Sequence, residues 1–471
     1  MKIVFIHYHL KTGGVTTVLR QQIESMLHTS DLLMLTGAPP DASFPWETVH
    51  IPGLGYDTSD PNRFEPEKVA AAILQAIRLK WEGGCDLIHV HNPTLAKNKF
   101  FLKILKTLQK EKIRLFLQIH DFAEDGRPLA YFSEDEYVSD CHYGVINSRD
   151  YNILLKAGLK KEGLHKIFNI IKPLNFKATG AISKNYVLYP VRAIRRKNIG
   201  EAFLLSLFFT HRETLVITLP PNSPVDIKSY ERWRAFAEEK DLNIIFEAGL
   251  THKFSDLVLS ANFLITTSIT EGFGFSFLEP WTAEKLLWGR KLPQICQDFE
   301  KNGIRLDHLY SRLNVPVEWI GKDSLFETWT SWVQKAGALF DLAIDETTLK
   351  NAFEKMIDKD IIDFGLLDES FQEIIISKVL SDSGNRDALI HLNPHLSNPG
   401  DMPNKDPLIQ NNLNAVAHHY NQTKYRKTLV DIYTRVIRDN VHQKIDKKIL
   451  LSEFFNLDNF SLLKWSFYAE K

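Results

Sequence analysis

Thr270-Glu271-Gly272-Phe273-Gly274-Phe275-Ser276-Phe277-Leu278-Glu279-Pro280-Trp281 comes shortly after the apolar run Phe263-Leu264-Ile265-Thr266-Thr267. The run reads as a buried strand. Glycines at 272 and 274 let the backbone turn sharply and approach a ligand closely. The apolar residues after them can begin a helix whose free N–H groups face the turn. Such a turn suits a phosphate or a sugar. A Gly-x-Gly by itself also fits an ordinary strand-to-helix corner, but here two glutamates bracket the loop, which argues for a site.

The same pattern reaches well beyond this loop. Glu271 and Glu279 form an E-x7-E pair. Gly13-Gly14 near the chain start, His120-Asp121, Arg192 with Lys197 five residues later, and Ala261-Asn262-Phe263 ahead of the glutamates complete the set. In their order over roughly the first 300 residues, these motifs resemble the large E-x7-E family of retaining GT-B glycosyltransferases. This is the glycosyltransferase family 4 type, with many sucrose, trehalose and phosphatidylinositol-mannoside synthases. The resemblance implies an α/β fold of two Rossmann-like, doubly wound domains facing across a cleft, with C-terminal helices crossing back to the first domain. It also implies transfer of a hexose from a nucleotide-diphospho-sugar with retention of anomeric configuration. The expected partners are that nucleotide sugar and a small polar acceptor, with no further cofactor and no metal.

By the resemblance, Glu271 binds sugar hydroxyls, and Glu279, in the first helical turn, holds the nucleotide ribose. The donor also lies against Gly272, Phe273, Gly274, Phe275 and Ser276. Arg192 and Lys197 stabilise the leaving diphosphate, and His120 contacts the transferred sugar. The position of the cations agrees with this: both follow a strand end, where positive charge would meet the charge that develops on a leaving group. A solvated basic turn, with Arg195 and Arg196 included, is the plainer alternative. The family usually has glycine before the arginine and after the lysine, whereas this chain has Val191 and Asn198.

Gly13 and Gly14 sit between a first strand and a first helix, where backbone amides can cradle a diphosphate. They are also ordinary loop punctuation, with Thr12 or Thr16 as a helix cap. His120 ends a strand and is placed to line a cleft, although a lone histidine often only satisfies buried polar groups. Asp121 and Arg127, on the loop after it, are candidates to bind the acceptor or to form a solvated turn. His89 and His91 have the spacing of metal ligands on a strand but lack a third ligand nearby. The two glutamates are not assigned as a glycosidase pair, which would flank one bond at about 5 to 10 Å.

Short β-rich runs at 2–7, 32–36, 86–90, 113–119 and 143–147 alternate with helical spacing at 15–27, 69–81 and 98–110, which predicts a parallel, doubly wound sheet. The pattern breaks at 175–180, a linker. It restarts with a strand at 186–189, a helix at 199–208 and strands at 214–219 and 243–246. Helices dominate from 345, interrupted by a loop at 393–407. The expected division is 1–174 for an acceptor domain, 184–388 for a donor domain, and 389–471 for a helical tail packing on the first.

A chain of 471 residues exceeds the span of one core. Its 44% hydrophobic and 24% charged residues are those of a globular protein. Lys+Arg of 57 against Asp+Glu of 58 leaves no global field for nucleic acid, so an anion site must be local. Three scattered cysteines fit reduced thiols and a cytoplasmic location. The first apolar run is too short for a signal peptide, and no run is long enough to span a membrane. Peripheral membrane contact stays open, though no basic amphipathic helix stands out. The rival functions are a GT-B phosphorylase, a sugar-nucleotide epimerase, and a catalytically silent carbohydrate-binding protein.

Overall fold

The opening run Lys-Ile-Val-Phe-Ile-His forms strand β1 (Lys2–His7), and its alternation shows how the first sheet is covered. Val4 and Ile6 enter one hydrophobic core, Ile3 and Phe5 the other. A strand apolar on both faces belongs inside a parallel sheet sandwiched by helices. The computed structural model describes residues 1–11, 13–39, 44–57, 64–174 and 185–467. It falls into two units, Met1–Ile170 with Tyr420–Phe455, and Ile171–His419 with Asn456–Lys471. The expected linker 175–180, the boundary at 184 and Thr12 lie outside the described residues.

Unit one is built on β1, β2 (Asp31–Thr36), β3 (Thr48–His50), β4 (Leu87–His91), β5 (Leu115–Ile119), β6 (His142–Val145) and β7 (Leu164–Lys166). Their order is β3-β2-β1-β4-β5-β6-β7, with every pairing parallel. Helices Pro66–Lys80 and Phe101–Lys110 cover one face through Ile73, Ile77, Ile104 and Leu105. Helices Gly14–Met26 and Gln422–Arg438 cover the other. In the second of these, Tyr425, Leu429, Ile432, Tyr433 and Val436 form one stripe at helical spacing. Helix Lys447–Phe454 adds Leu450 and Phe454 to the first core. The stretch 389–471, expected as one tail, is thus divided: Tyr420–Phe455 belongs to unit one, and the residues on either side belong to unit two.

Unit two repeats the plan with β8 (Tyr186–Arg192), β9 (Thr214–Leu219), β10 (Ile244–Ile245), β11 (Ala261–Thr266) and β12 (Leu287–Gly289). The order is β10-β9-β8-β11-β12, again all parallel. A separate antiparallel pair joins β13 (Asn314–Pro316) to β14 (Ile361–Asp363). Strands β12 to β14 were not anticipated, because three residues are too few to display a period.

In each sheet the strand order reverses once, between β1 and β4 in unit one and between β8 and β11 in unit two. The loops leaving adjacent strands at such a point diverge to opposite faces and open a crevice at the carboxyl ends. Among the described residues no helix is long and apolar enough to cross a membrane.

Candidate functional site

At the reversal in unit two, β8 and β11 are hydrogen-bonded neighbours, so the turn after Arg192 and the loop after Thr266 leave side by side. The turn tightens into a 3-10 helix, Arg195–Lys197, and the Arg196 carbonyl accepts from Ile269 N at 3.1 Å. Tyr189 Oη donates to the Lys197 carbonyl at 2.6 Å, and Thr267 Oγ1 reaches the carbonyls of Lys197 and Asn198 at 3.0 and 2.9 Å. With its backbone gripped from both neighbouring strands, Lys197 places Nζ on the Glu271 carboxylate. Both side chains are largely buried, at 16% and 12% exposure. Burial works against ionisation of Glu271, but Lys197, Arg196 and a hydrogen bond from Ser268 outweigh it and hold the carboxyl below its ordinary range.

The basic turn is therefore not one solvated cluster. Arg195 points inward and makes two hydrogen bonds to Glu369, of 2.7 and 2.8 Å, while Nη2 reaches Ser466 Oγ at 3.1 Å. Arg192 is exposed, and its Nη1 donates to the Pro220 carbonyl at 2.8 Å. Lys197 is the cation that meets Glu271, and Arg192 turns to a different partner.

Asn198, standing where the resemblance leads one to expect glycine, has φ +52°. Asparagine is among the few residues that enter this left-handed region at modest cost, so the backbone a glycine would supply is kept. Its side chain is also used: Nδ2 donates to Glu201 at 2.7 Å, and Oδ1 accepts from Gln372 at 2.9 Å. Glu201 in turn takes Arg290 and Tyr310, and Arg290 also binds Asp363. Thr267 and Gln372 were not recognised in the sequence, because each matters through a partner 70 or more residues away along the chain.

The glutamate loop is tighter than expected. Gly274 has φ +89°, and a Cβ there would come within 2.9 Å of Phe277 and 3.2 Å of Ile295. Instead of one helix, a 3-10 turn, Phe275–Phe277, is followed by the four-residue helix Glu279–Thr282. Pro280, which has no N–H to bond back across the junction, separates the two elements, and Trp281 Nε1 donates to the Phe277 carbonyl at 2.7 Å. The Phe273 side chain packs on Phe275 and Phe299, so it offers a ligand only its backbone. Ser276 Oγ is buried without a hydrogen-bond partner among the described residues. Glu279 heads its short helix, and burial raises its carboxyl above the usual range. Gly272 lies in the same loop, next to Glu271.

At the reversal in unit one, the histidine-rich ends of β1, β4 and β5 come together. His89 and His91 stack at 4.5 Å, and His91 stacks on His120 at 5.1 Å. His91 Nδ1 and His120 Nε2 share a hydrogen bond of 2.9 Å. Asn92, at φ +52°, accepts from the backbone N–H groups of His120 and Asp121 at 2.7 and 3.1 Å, which fixes the end of β5. Burial lowers His120 to about 4 despite the nearby Asp121, so the ring is neutral at pH 7. Asp121 and Arg127 are joined at 2.6 Å, and Arg127 also donates to the Phe122 carbonyl at 3.2 Å. His89 is held by Tyr433 and Gln118 at 2.8 and 2.9 Å. Among the described residues no group of three or more His, Cys, Asp and Glu side chains is arranged to hold a metal.

Gly13 is extended, and Gly14 begins the first helix. A Cβ at Gly13 would meet only the Lys11 carbonyl at 3.9 Å, and one at Gly14 would meet nothing within 4 Å, so packing does not require either glycine. Thr16 is not a cap, because its hydroxyl donates back to the Lys11 carbonyl at 2.7 Å. The first helix has no side-chain cap.

No protein family model matches the chain. It is 26% identical over 411 residues to a mannosylglucosyl-3-phosphoglycerate synthase of Petrotoga mobilis, covering 78% of this chain and 79% of that protein. Among solved structures it resembles Anabaena HepE in complex with UDP and glucose, with a TM-score of 0.51, 12% identity, and 92% and 98% of the two chains covered. It also resembles the catalytic domain of starch synthase IV from Arabidopsis thaliana bound to ADP and acarbose, with a TM-score of 0.51, 12% identity, and 93% and 99% coverage. These likenesses establish the fold, an α/β GT-B fold with parallel sheets.

Proposed function

We propose that this chain is a retaining glycosyltransferase of the E-x7-E type. It moves a hexose from a nucleotide-diphospho-sugar to a hydroxyl of a small polar acceptor. The observation that carries the reading is the Lys197–Glu271 pair, a cation and a carboxylate brought from two sequence-distant loops to the switch point of unit two. A folded core has no need of an ion pair there, because burying both charges costs solvation that apolar residues would avoid.

In this reading Lys197 and Arg192 stabilise the diphosphate as its bond to the anomeric carbon breaks. Glu271 binds sugar hydroxyls, and Glu279 takes the ribose. The backbone from Gly272 to Ser276 faces the donor. His120 hydrogen-bonds the transferred sugar, and the open space at Gly13 and Gly14 lets a ligand approach the backbone. The acceptor hydroxyl attacks from the face the diphosphate leaves, and a departing phosphate oxygen takes the acceptor proton. Configuration is thereby kept, and the protein contributes positioning and charge stabilisation.

The synthase relative suggests an acceptor carrying a phosphoglycerate group. Asp121 and Arg127 are the candidate acceptor residues, with Arg127 able to grip an anion bidentately. A thermal-shift panel of UDP-, ADP- and GDP-sugars, followed by NMR of the product formed with glucosyl-3-phosphoglycerate, tests the reading. Stabilisation by a nucleotide sugar and a product of unchanged anomeric configuration are expected. An inverted product, or phosphorolysis without transfer, would overturn it.

A further inference from the structure

His91 lies on β4 with none of its surface exposed, and it touches no position expected to meet substrate except through His120. Its Nδ1 is 2.9 Å from His120 Nε2. Its Nε2 is sealed from solvent and has no hydrogen-bond partner among the described residues. Two proton arrangements satisfy the shared bond. In one, His91 carries its proton on Nδ1 and donates to His120. In the other, His120 donates and His91 carries its proton on Nε2, which leaves a buried N–H with nothing to accept it.

Orphaned buried N–H groups are rarer in folded proteins than acceptors left short of a donor, so the first arrangement is favoured. Its consequence falls on His120, whose Nε2 must then be the bare nitrogen and whose proton must sit on Nδ1. That Nδ1 has no partner among the described residues and, unlike His91 Nε2, is not among the sealed atoms. We infer that His91 is a positioning residue that fixes the tautomer of His120, so that His120 presents Nδ1–H as a donor to a substrate oxygen. His120 then cannot serve at Nδ1 as a base, in accord with a proton taken by phosphate.

The surroundings keep the pair neutral. Burial lowers His91 well below the ordinary range, with His89, His120 and His7 adding to the effect. Asp121 raises His120 only in part. His7 stands edge-on to His91 at 6.0 Å, and His89 and His120 stack on it at 4.5 and 5.1 Å, so the ring is packed against three others.

The inference rests on the role proposed above for His120 at the sugar, but it can be tested without turnover. Long-range proton–nitrogen correlation spectra of the full chain labelled with 15N-histidine, assigned by loss of signals in His120→Asn, report which nitrogen of His120 is protonated. We expect Nδ1 protonated and Nε2 bare, and the reverse would overturn the inference. Hydrolysis of UDP-glucose, ADP-glucose and GDP-mannose supplies the second readout. His91→Phe, which keeps a ring but no donor, should lower kcat about 10- to 100-fold, as loss of an orienting partner does, with KM unchanged. His91→Asn, whose amide can donate from the Nδ1 position, should recover most of that loss. Equal kcat in the Phe and Asn variants would reduce His91 to a packing residue. If no variant and no parent hydrolyses any of the sugars, the proposed activity fails, and the spectra alone decide the tautomer.

Discussion

Arg195 and Glu369, 174 residues apart in the chain, are joined by two hydrogen bonds of 2.7 and 2.8 Å in the interior of unit two. The pair lies two residues from Lys197, whose own carboxylate partner is Glu271. One basic turn thus carries a cation paired in the interior and a cation paired in the candidate site, and the two are expected to respond differently to mutation.

Arg195→Ala leaves Glu369 buried with only the Ser229 hydroxyl, 2.6 Å away, among its strong donors. Removing one partner of a buried pair costs about 3 to 5 kcal/mol. Urea unfolding followed by intrinsic fluorescence should show that loss in the transition of unit two. Arg192→Ala, at an exposed residue, should change stability by no more than about 0.5 kcal/mol. A matching loss in both variants would mean that the turn acts as one structural cluster.

For Lys197→Met and Glu271→Gln, each single change should lower donor turnover about 100-fold or more, the scale seen on losing one charge-stabilising group. The double variant should lose less than the product of the two, because the residues act through one contact. Additive losses measured in kcat/KM would separate their roles. Glu271 also predicts a pH effect. Its carboxyl is held below the ordinary range in the folded chain, so its stabilising contribution is full above the unfolded value and is lost as pH falls through the depressed one. Glu271→Gln should flatten that part of the acid-unfolding curve.

Asn198→Gly and Asn198→Ala separate backbone from side chain. Both lose the hydrogen bonds to Glu201 and Gln372, and only alanine adds the left-handed penalty of about 1 to 2 kcal/mol. The expected order of melting temperature is parent, then glycine, then alanine. A glycine variant less stable than alanine would contradict the assigned conformation.

Glu124 should give the opposite pH dependence to Glu271. Burial raises it to about 7, even though it accepts from Tyr137 at 2.7 Å and lies near Lys447. Between its unfolded value and pH 7 the folded state holds the extra proton, so stability falls as pH rises through that window. Glu124→Gln keeps an acceptor for Tyr137 without the charge. It should match the parent near pH 4.5 and exceed it by about 3 kcal/mol at pH 8. Equal stability of the two proteins at every pH would show that Glu124 ionises as it does in water.

Lys2–His7 and Thr214–Leu219 were legible in the sequence because a strand's apolar pattern and a turn's glycines are written within a few adjacent residues. The same holds for the alternation that makes both sheets parallel, and for the glycine loop that holds Glu271. Which of Arg192, Arg195, Arg196 and Lys197 would meet Glu271 was not written there. That choice was made when β8 and β11 became neighbours and Glu369 arrived from a distant helix to claim Arg195. The pairing of His91 with His120 likewise needed β4 beside β5, and the left-handed Asn198 needed Gln372 and Glu201 to hold it. Local sequence determines elements because backbone sterics and side-chain period act over short spans. Partner choice among like charges is settled only by closure of the fold, since a buried charge is stable only where an opposite charge or a donor from elsewhere in the chain comes within hydrogen-bonding distance.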